Sequence, residues 1–229
     1  MPPFGVDVSE WQDGLPMSAV AAAGLRFAVV RACDGTHRDR TFASHAADAH
    51  AHGLAVGAYW FVRHPAEGTT FAEQARVVAA QLSSLADAQV PGPAGHVPVP
   101  GVWLDVETTA HRLSADDVAA AAAALDDEGV GCAGIYTTRS YWRLRRFPTA
   151  DQVPGGLWLA QWPGGGAGPF GYPGDDHPAW RPFRGRRPDV WQFTESGRIG
   201  GITVDVNAYR GAPDRLRGVV TGPSVSDEG

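Results

Sequence analysis

The sequence predicts an α/β fold, an incomplete (β/α)8 TIM-like barrel with helices missing in its last third. Three observations carry that expectation. Eight short apolar runs recur along the chain, several nearly continuous in apolar residues, such as Phe27-Ala28-Val29-Val30, the pattern of parallel strands covered on both faces. Stretches with helical spacing separate the earlier runs. After about Pro148 the gaps turn rich in Gly and Pro instead.

Taken in order, the strands are expected at Phe4–Val8, Phe27–Ala32, Ala55–Phe61, Gly101–Val106, Ala133–Tyr136, Leu157–Ala160, Val190–Phe193 and Ile202–Val206. Thr41–His52 reads as a helix because Phe42, Ala46 and Ala49 recur every three to four residues. Phe71–Leu85 does so because Phe71, Ala75, Val78 and Leu82 form one stripe. Ser114 is placed to cap a helix running to Leu125, Asp116 and Asp117 suit its positive N-terminal end, and Gly129 ends it. Pro163–Pro188 carries no helical signal and is expected to be a long irregular loop. The organisation is one barrel domain over 1–220 with a polar, frayed tail over 221–229.

Composition narrows the function classes. Hydrophobic residues make up 44% and charged residues 19%, which is globular and not disordered. A net charge of -6 argues against a general nucleic-acid binder, whose phosphate contacts need a basic surface. The local basic runs, Arg143, Arg145 and Arg146 and then Arg181, Arg184, Arg186 and Arg187, read as solvated loop arginines. Cys33 and Cys132 lie in different, non-neighbouring strands and read as buried thiols. No spacing suggests a zinc or iron–sulfur site. The opening Met-Pro-Pro-Phe shows no export signal, and no stretch is long enough to cross a membrane.

Three strands share a local pattern: Val6-Asp7-Val8-Ser9, Leu104-Asp105-Val106-Glu107 and Val204-Asp205-Val206-Asn207. Side chains alternate faces along a strand. Val102, Leu104 and Val106 therefore share one face, while Trp103, Asp105 and Glu107 share the other. If the aliphatic face packs on helices, the acids point into the barrel and meet at the mouth where barrel enzymes work. The first and last strands are neighbours in a closed barrel, which brings Asp7 beside Asp205. Crowding raises at least one carboxyl pKa, and glycosidic-bond hydrolysis needs one protonated acid beside one carboxylate. A magnesium or calcium site is the rival use of such oxygens, but the strand spacing does not make a compact ligand loop. Aromatic residues in or just after strands add flat surfaces for sugar rings; Tyr59, Tyr136 and Trp162 are the best placed, while Trp158 and Trp191 read as core.

The residues also resemble a known family. Phe4-Gly5-Val6-Asp7-Val8-Ser9-Glu10-Trp11-Gln12, Arg31 to Thr36, Gly57 to Phe61, Trp103 to Glu107, Gly134 to Thr137, Leu157 to Trp162, Val190 to Phe193 and Val204 to Asn207 are similar, in order, to family 25 of the glycoside hydrolases, the Chalaropsis-type lysozymes. The resemblance implies an incomplete barrel and a cofactor-free 1,4-β-N-acetylmuramidase. Carried over, Glu107 is the general acid, and Asp105 is the nucleophile or the support of the substrate's own acetamido group. Asp7 and Asp205 tune the pair. Tyr59, Tyr136, Trp162, Asp34 and Gln192 are the expected substrate contacts. Two positions depart from the family: Asp34 stands where Glu is usual and Trp60 where His is frequent, both expected at the mouth.

The expected partner is bacterial peptidoglycan, acted on by a monomer outside the cell or at the wall, as a phage lysin or a trimmed secreted enzyme. Two other readings compete: a wall-binding module with weakened chemistry, and a glycosidase of another aminosugar polymer such as chitin.

Overall fold

Strand β1 (Phe4–Val8) pairs on both sides, in parallel with β2 (Phe27–Asp34) and antiparallel with β9 (Ile202–Tyr209). That double pairing closes the sheet into a barrel and leaves no free edge on its first strand. The computed structural model describes residues 1–87, 97–142 and 155–221; the arginines at 143, 145 and 146 and the tail beyond 221 lie outside the described residues.

Around the ring, β2 is followed by β4 (Ala55–Phe61), β5 (Val102–Asp105), β6 (Cys132–Thr138), β7 (Gly156–Ala160), β8 (Val190–Ile199) and β9. A two-residue strand, β3 (His37–Arg38), folds back on the end of β2. All eight expected strands are present, several of them longer than the apolar run that marked them. Cys33 on β2 and Cys132 on β6 are free thiols.

One expectation needs correction. The strands are not all parallel, because β9 runs antiparallel to both β8 and β1. The reason is local: Gly200 and Gly201, with φ of 57° and 84°, turn the chain directly from Ile199 to Ile202. A two-residue turn with both φ positive matches the twist of a hairpin, whereas a parallel crossover needs a dozen residues or more.

Helices α1 (Met17–Ala22), α2 (Phe42–Ala51), α3 (Phe71–Asp87) and α4 (Ala115–Asp127) lie in the first two-thirds of the chain. Ser114 caps α4 as expected, accepting the Asp117 N–H while the Asp117 carboxylate accepts the Ser114 N–H. The alternation of strand side chains splits the core in two. Val6, Val8, Val30, Leu104, Val106 and Val206 face outward into a layer that includes Phe42, Val78, Leu82 and Val118 of the helices. Phe27, Val29, Trp103, Trp158, Val190 and Tyr209 fill the barrel interior. Each fully buried aliphatic or aromatic side chain contributes about 1.5–3 kcal/mol.

A last helix, α5 (Leu216–Thr221), closes the barrel floor. Leu216 and Val220 join the interior cluster, and the Val220 carbonyl accepts the Trp103 indole N–H at 3.2 Å. Gly57 lets that helix approach, since a Cβ there would lie 2.6 Å from the Val220 carbonyl oxygen. From Gly156 to Arg215 only single 3-10 turns interrupt the loops, which include a hairpin with Arg184 and Gly185 at its tip.

Candidate active site

Asp7 is the fourth residue of a five-residue buried strand, with Asp205 directly opposite on β9 and Val29 opposite on β2. Its valine neighbours face the outer layer, so the carboxyl points into the barrel mouth. The same phase on β5 sends Asp105 inward, and Glu107 follows two residues beyond, where the strand has just ended. The three segments thus deliver four carboxyls to one cavity of about 220 Å³, lined by Asp7, Asp105, Glu107 and Asp205 together with Tyr59, Tyr136 and Gln192. A larger groove of about 650 Å³ lies at the opposite, floor end of the barrel, against Phe4, Ala55 and Leu216, and carries no acidic side chain.

Hydrogen bonds fix the cluster from below. Asp7 accepts the Asn207 amide at 2.7 Å and the Gln192 amide at 2.9 Å. Asn207 in turn accepts the Trp158 indole N–H at 2.8 Å. The Gln192 carbonyl oxygen accepts the Tyr136 hydroxyl at 3.1 Å and the Trp162 indole N–H at 3.0 Å. Burial raises Asp7 above the ordinary carboxylate value, while the bonds from Asn207 and Gln192 and its hydrogen bond with the Asp205 carboxyl favour the charged form and offset part of that rise.

Electrostatics separate the four acids. Burial, and then the Asp7 charge, push Glu107 up to about 7. Burial and Asp7 likewise raise Asp205 to about 8. Asp105 is held well above the usual carboxylate range by burial first, then by the charges of Glu107 and Asp7. Its Oδ1 is buried with no hydrogen-bond partner among the described residues, so no hydrogen bond there offsets the cost of ionising it. At neutral pH the cluster therefore holds protonated carboxyls next to a solvated opening, the requirement for delivering a proton to a leaving oxygen.

Other expected contacts lie differently. Trp162 is 45% exposed and reaches the cluster through Gln192. Asp34 accepts both of its hydrogen bonds from one edge of the Arg63 guanidinium, from Nε at 2.5 Å and Nη2 at 2.8 Å, and is not among the residues lining the cavity. Trp60 is not at the mouth. It is fully buried on the outer face of β4, and its indole donates to Gln74 on α3 at 3.1 Å. Strand alternation dictates this, since Tyr59 takes the inward position.

Several lining residues escaped the sequence reading: Ser9, Trp11, Gln12, Arg31, Phe61 and Trp158. Arg31 was legible by phase, because it follows Phe27 and Val29 on the inward face of β2. It is buried, donating to Asp39 at 2.9 Å and to Glu10 at 3.2 Å, and it is the cation that tempers Asp105. Ser9 and Gln12 had a signal too, the Ser-x-x-Gln spacing of a capping box, which they form around a single 3-10 turn. Among the described residues no group of three or more His, Cys, Asp or Glu side chains is arranged to hold a metal ion. No described helix is long and apolar enough to cross a membrane.

Comparison with known proteins agrees with this geometry. The family description "Glycosyl hydrolases family 25" matches residues 6–202. The chain is 31% identical over 222 residues to Lysozyme M1 of Streptomyces globisporus, covering 93% of this chain and 69% of that one. Its fold is similar to the bacterial lysozyme of Streptomyces coelicolor, with a TM-score of 0.67, 23% identity and coverage of 96% and 98% of the two chains. It is also similar to the catalytic domain of endolysin ply40 from the Listeria monocytogenes bacteriophage P40, with a TM-score of 0.68, 20% identity and coverage of 96% and 98%. The chain belongs to family 25 of the glycosyl hydrolases.

Proposed function

We propose that the chain is a peptidoglycan muramidase, a lysozyme that cleaves the β-1,4 bond between N-acetylmuramic acid and N-acetylglucosamine with side chains alone. The carrying observation is the convergence of Asp7, Asp105, Glu107 and Asp205 on one cavity, with Glu107 pushed up to about 7. Glu107 donates its proton to the glycosidic oxygen as the C1–O bond breaks, and positive charge grows on the ring. The acetamido oxygen of the same sugar then attacks C1, and Asp105 accepts the hydrogen bond of its N–H as charge develops there. Glu107, now a carboxylate, takes a proton from the water that opens the intermediate. Asp7 and Asp205 set the protonation of the pair. Tyr59, Tyr136, Trp162 and Gln192 contact the glycan, whereas Asp34 is held by Arg63 outside the cavity lining.

We read the architecture as an incomplete (β/α)8 barrel whose final crossover is replaced by the β8–β9 hairpin, in one domain over 1–220 with a tail beyond it. A monomer acting on the wall from outside the cell, or as a phage lysin, fits the cavity and the similarity to a phage endolysin's catalytic domain.

The test is the mass of the fragments released from purified peptidoglycan. Reducing-end N-acetylmuramic acid identifies the bond cut. Glu107→Gln is expected to lower the clearing rate by about 10²–10⁴; equal clearing by the variant would remove Glu107 from the acid role. Release from chitin at an equal rate would favour a broader aminosugar glycosidase.

A further inference from the structure

Six of the eight tryptophans, Trp60, Trp103, Trp142, Trp158, Trp180 and Trp191, are almost wholly buried. The other two are Trp11, 80% exposed, and Trp162, 45% exposed. A single exposed aromatic ring needs no explanation. Here both exposed rings meet the acidic cavity, Trp11 by lining it and Trp162 through its bond to Gln192.

The backbone under Trp11 is fixed from every side. Its N–H donates to Ser9 Oγ at 3.3 Å, and the Gln12 carbonyl oxygen accepts the Ser9 N–H at 3.0 Å. The Glu10 N–H donates to the buried Asp39 at 2.9 Å, and the Glu10 carboxylate is held by Arg31 at 3.2 Å and by His37 at 2.9 Å. A bare indole on a backbone tied this tightly loses little freedom when a flat ligand covers it, which is what a preorganised platform requires.

The ring order places the two indoles on facing rims. Trp11 follows β1 and Trp162 follows β7, three positions apart in the eight-stranded circle, both at the C-terminal ends of their parallel-sense strands. Glu107 follows β5, in the wider of the two arcs between them. A line joining the ends of β1 and β7 therefore passes between Asp205 of β9 in the narrower arc and Glu107 in the wider one.

We propose that Trp11 is a sugar-stacking platform which, with Trp162 across the mouth, holds a glycan over the acidic cavity. The inference rests on the muramidase reading and adds to it a binding residue. The faces of the indole pack on the apolar faces of a pyranose ring, and its edge stays in water.

The experiment compares wild type, Trp11→Ala and Trp11→Phe on purified peptidoglycan. Trp11→Ala is expected to lower kcat/KM about tenfold, mainly through KM, and Trp11→Phe to recover most of the loss. Binding is read separately in the Glu107→Gln background: soluble glycan fragments shift the tryptophan emission to the blue, and adding Trp11→Phe removes most of that shift. Unchanged KM and an unchanged emission shift in the Trp11 variants of an active enzyme would overturn the platform while leaving the muramidase standing. A wild type that releases no sugar from walls would overturn both.

Discussion

Asp7 and Asp205 face each other in register across the antiparallel β1–β9 pair, joined carboxyl to carboxyl, with Asp7 bonded by Asn207 and Gln192 as well. After burial, the Asp7 charge is the next cause that lifts both Glu107 and Asp205. Replacing Asp7 with Asn removes a like charge, so Glu107 gives up its proton more readily. The alkaline limb of the kcat/KM profile, set near 7 in the wild type, is expected to move to lower pH in Asp7→Asn, yet to stay above the ordinary glutamate value of 4.5 because burial remains the larger cause. A limb that does not move would show that Asp7 does not tune the acid.

Stability should carry the same signature. Glu107 and Asp205 both bind protons more tightly in the fold than in the open chain, at about 7 against 4.5 and about 8 against 3.8. A raised folded pKa gives stability that is full below the unfolded value and is lost as pH rises through the folded one. The Tm is therefore expected to fall between pH 5 and pH 8. The decline should be shallower in Glu107→Gln, measured by calorimetry across that window; identical slopes would contradict the assignment.

The role given to Asp105 separates two chemistries. If Asp105 were the nucleophile, trimming it to Ala would leave a hole that azide could fill, returning glycosyl azide. With the acetamido group attacking instead, azide is expected neither to restore activity to Asp105→Ala nor to appear in the products. Detection of a sugar azide by mass spectrometry would reverse this conclusion.

Arg31 ties the cavity wall together. It is paired with Asp39, whose side chain is fully buried and which also accepts from Thr41 and the Glu10 backbone. Arg31→Ala strands that carboxylate, and unfolding in urea should show a loss of about 3–5 kcal/mol. Arg31→Lys keeps the charge but not the fork, and is expected to fall between the two.

Much of this molecule was visible in its residues. Continuous apolar runs such as Phe27 to Val30 mark strands because both faces are covered, and the shared phase of Asp7, Asp105 and Asp205 marks the site because alternation sends all three to the interior. What escaped notice did so for identifiable reasons. Gly200-Gly201 was a hairpin signal, overridden by the expectation of a repeating parallel unit. Trp60 was assigned to the mouth from a family position, although its neighbour Tyr59 already occupied the inward phase. The helix α1 follows Pro16 and spans only six residues, too few for periodicity to register. Asn207 acts through Trp158 and Asp7, 49 and 200 positions away in sequence, and no local pattern announces such pairings.

The barrel is shut by its first strand meeting its last, with Asp7 bonded to a residue 200 positions later in the chain. A polypeptide emerging from a ribosome has therefore made its opening aspartate long before Gln192, Asp205 or Asn207 exist to hold it. Until the final hairpin arrives, no partial product contains the acid cluster. The four-acid cluster is thus complete only in a chain whose closing strand has been made and docked.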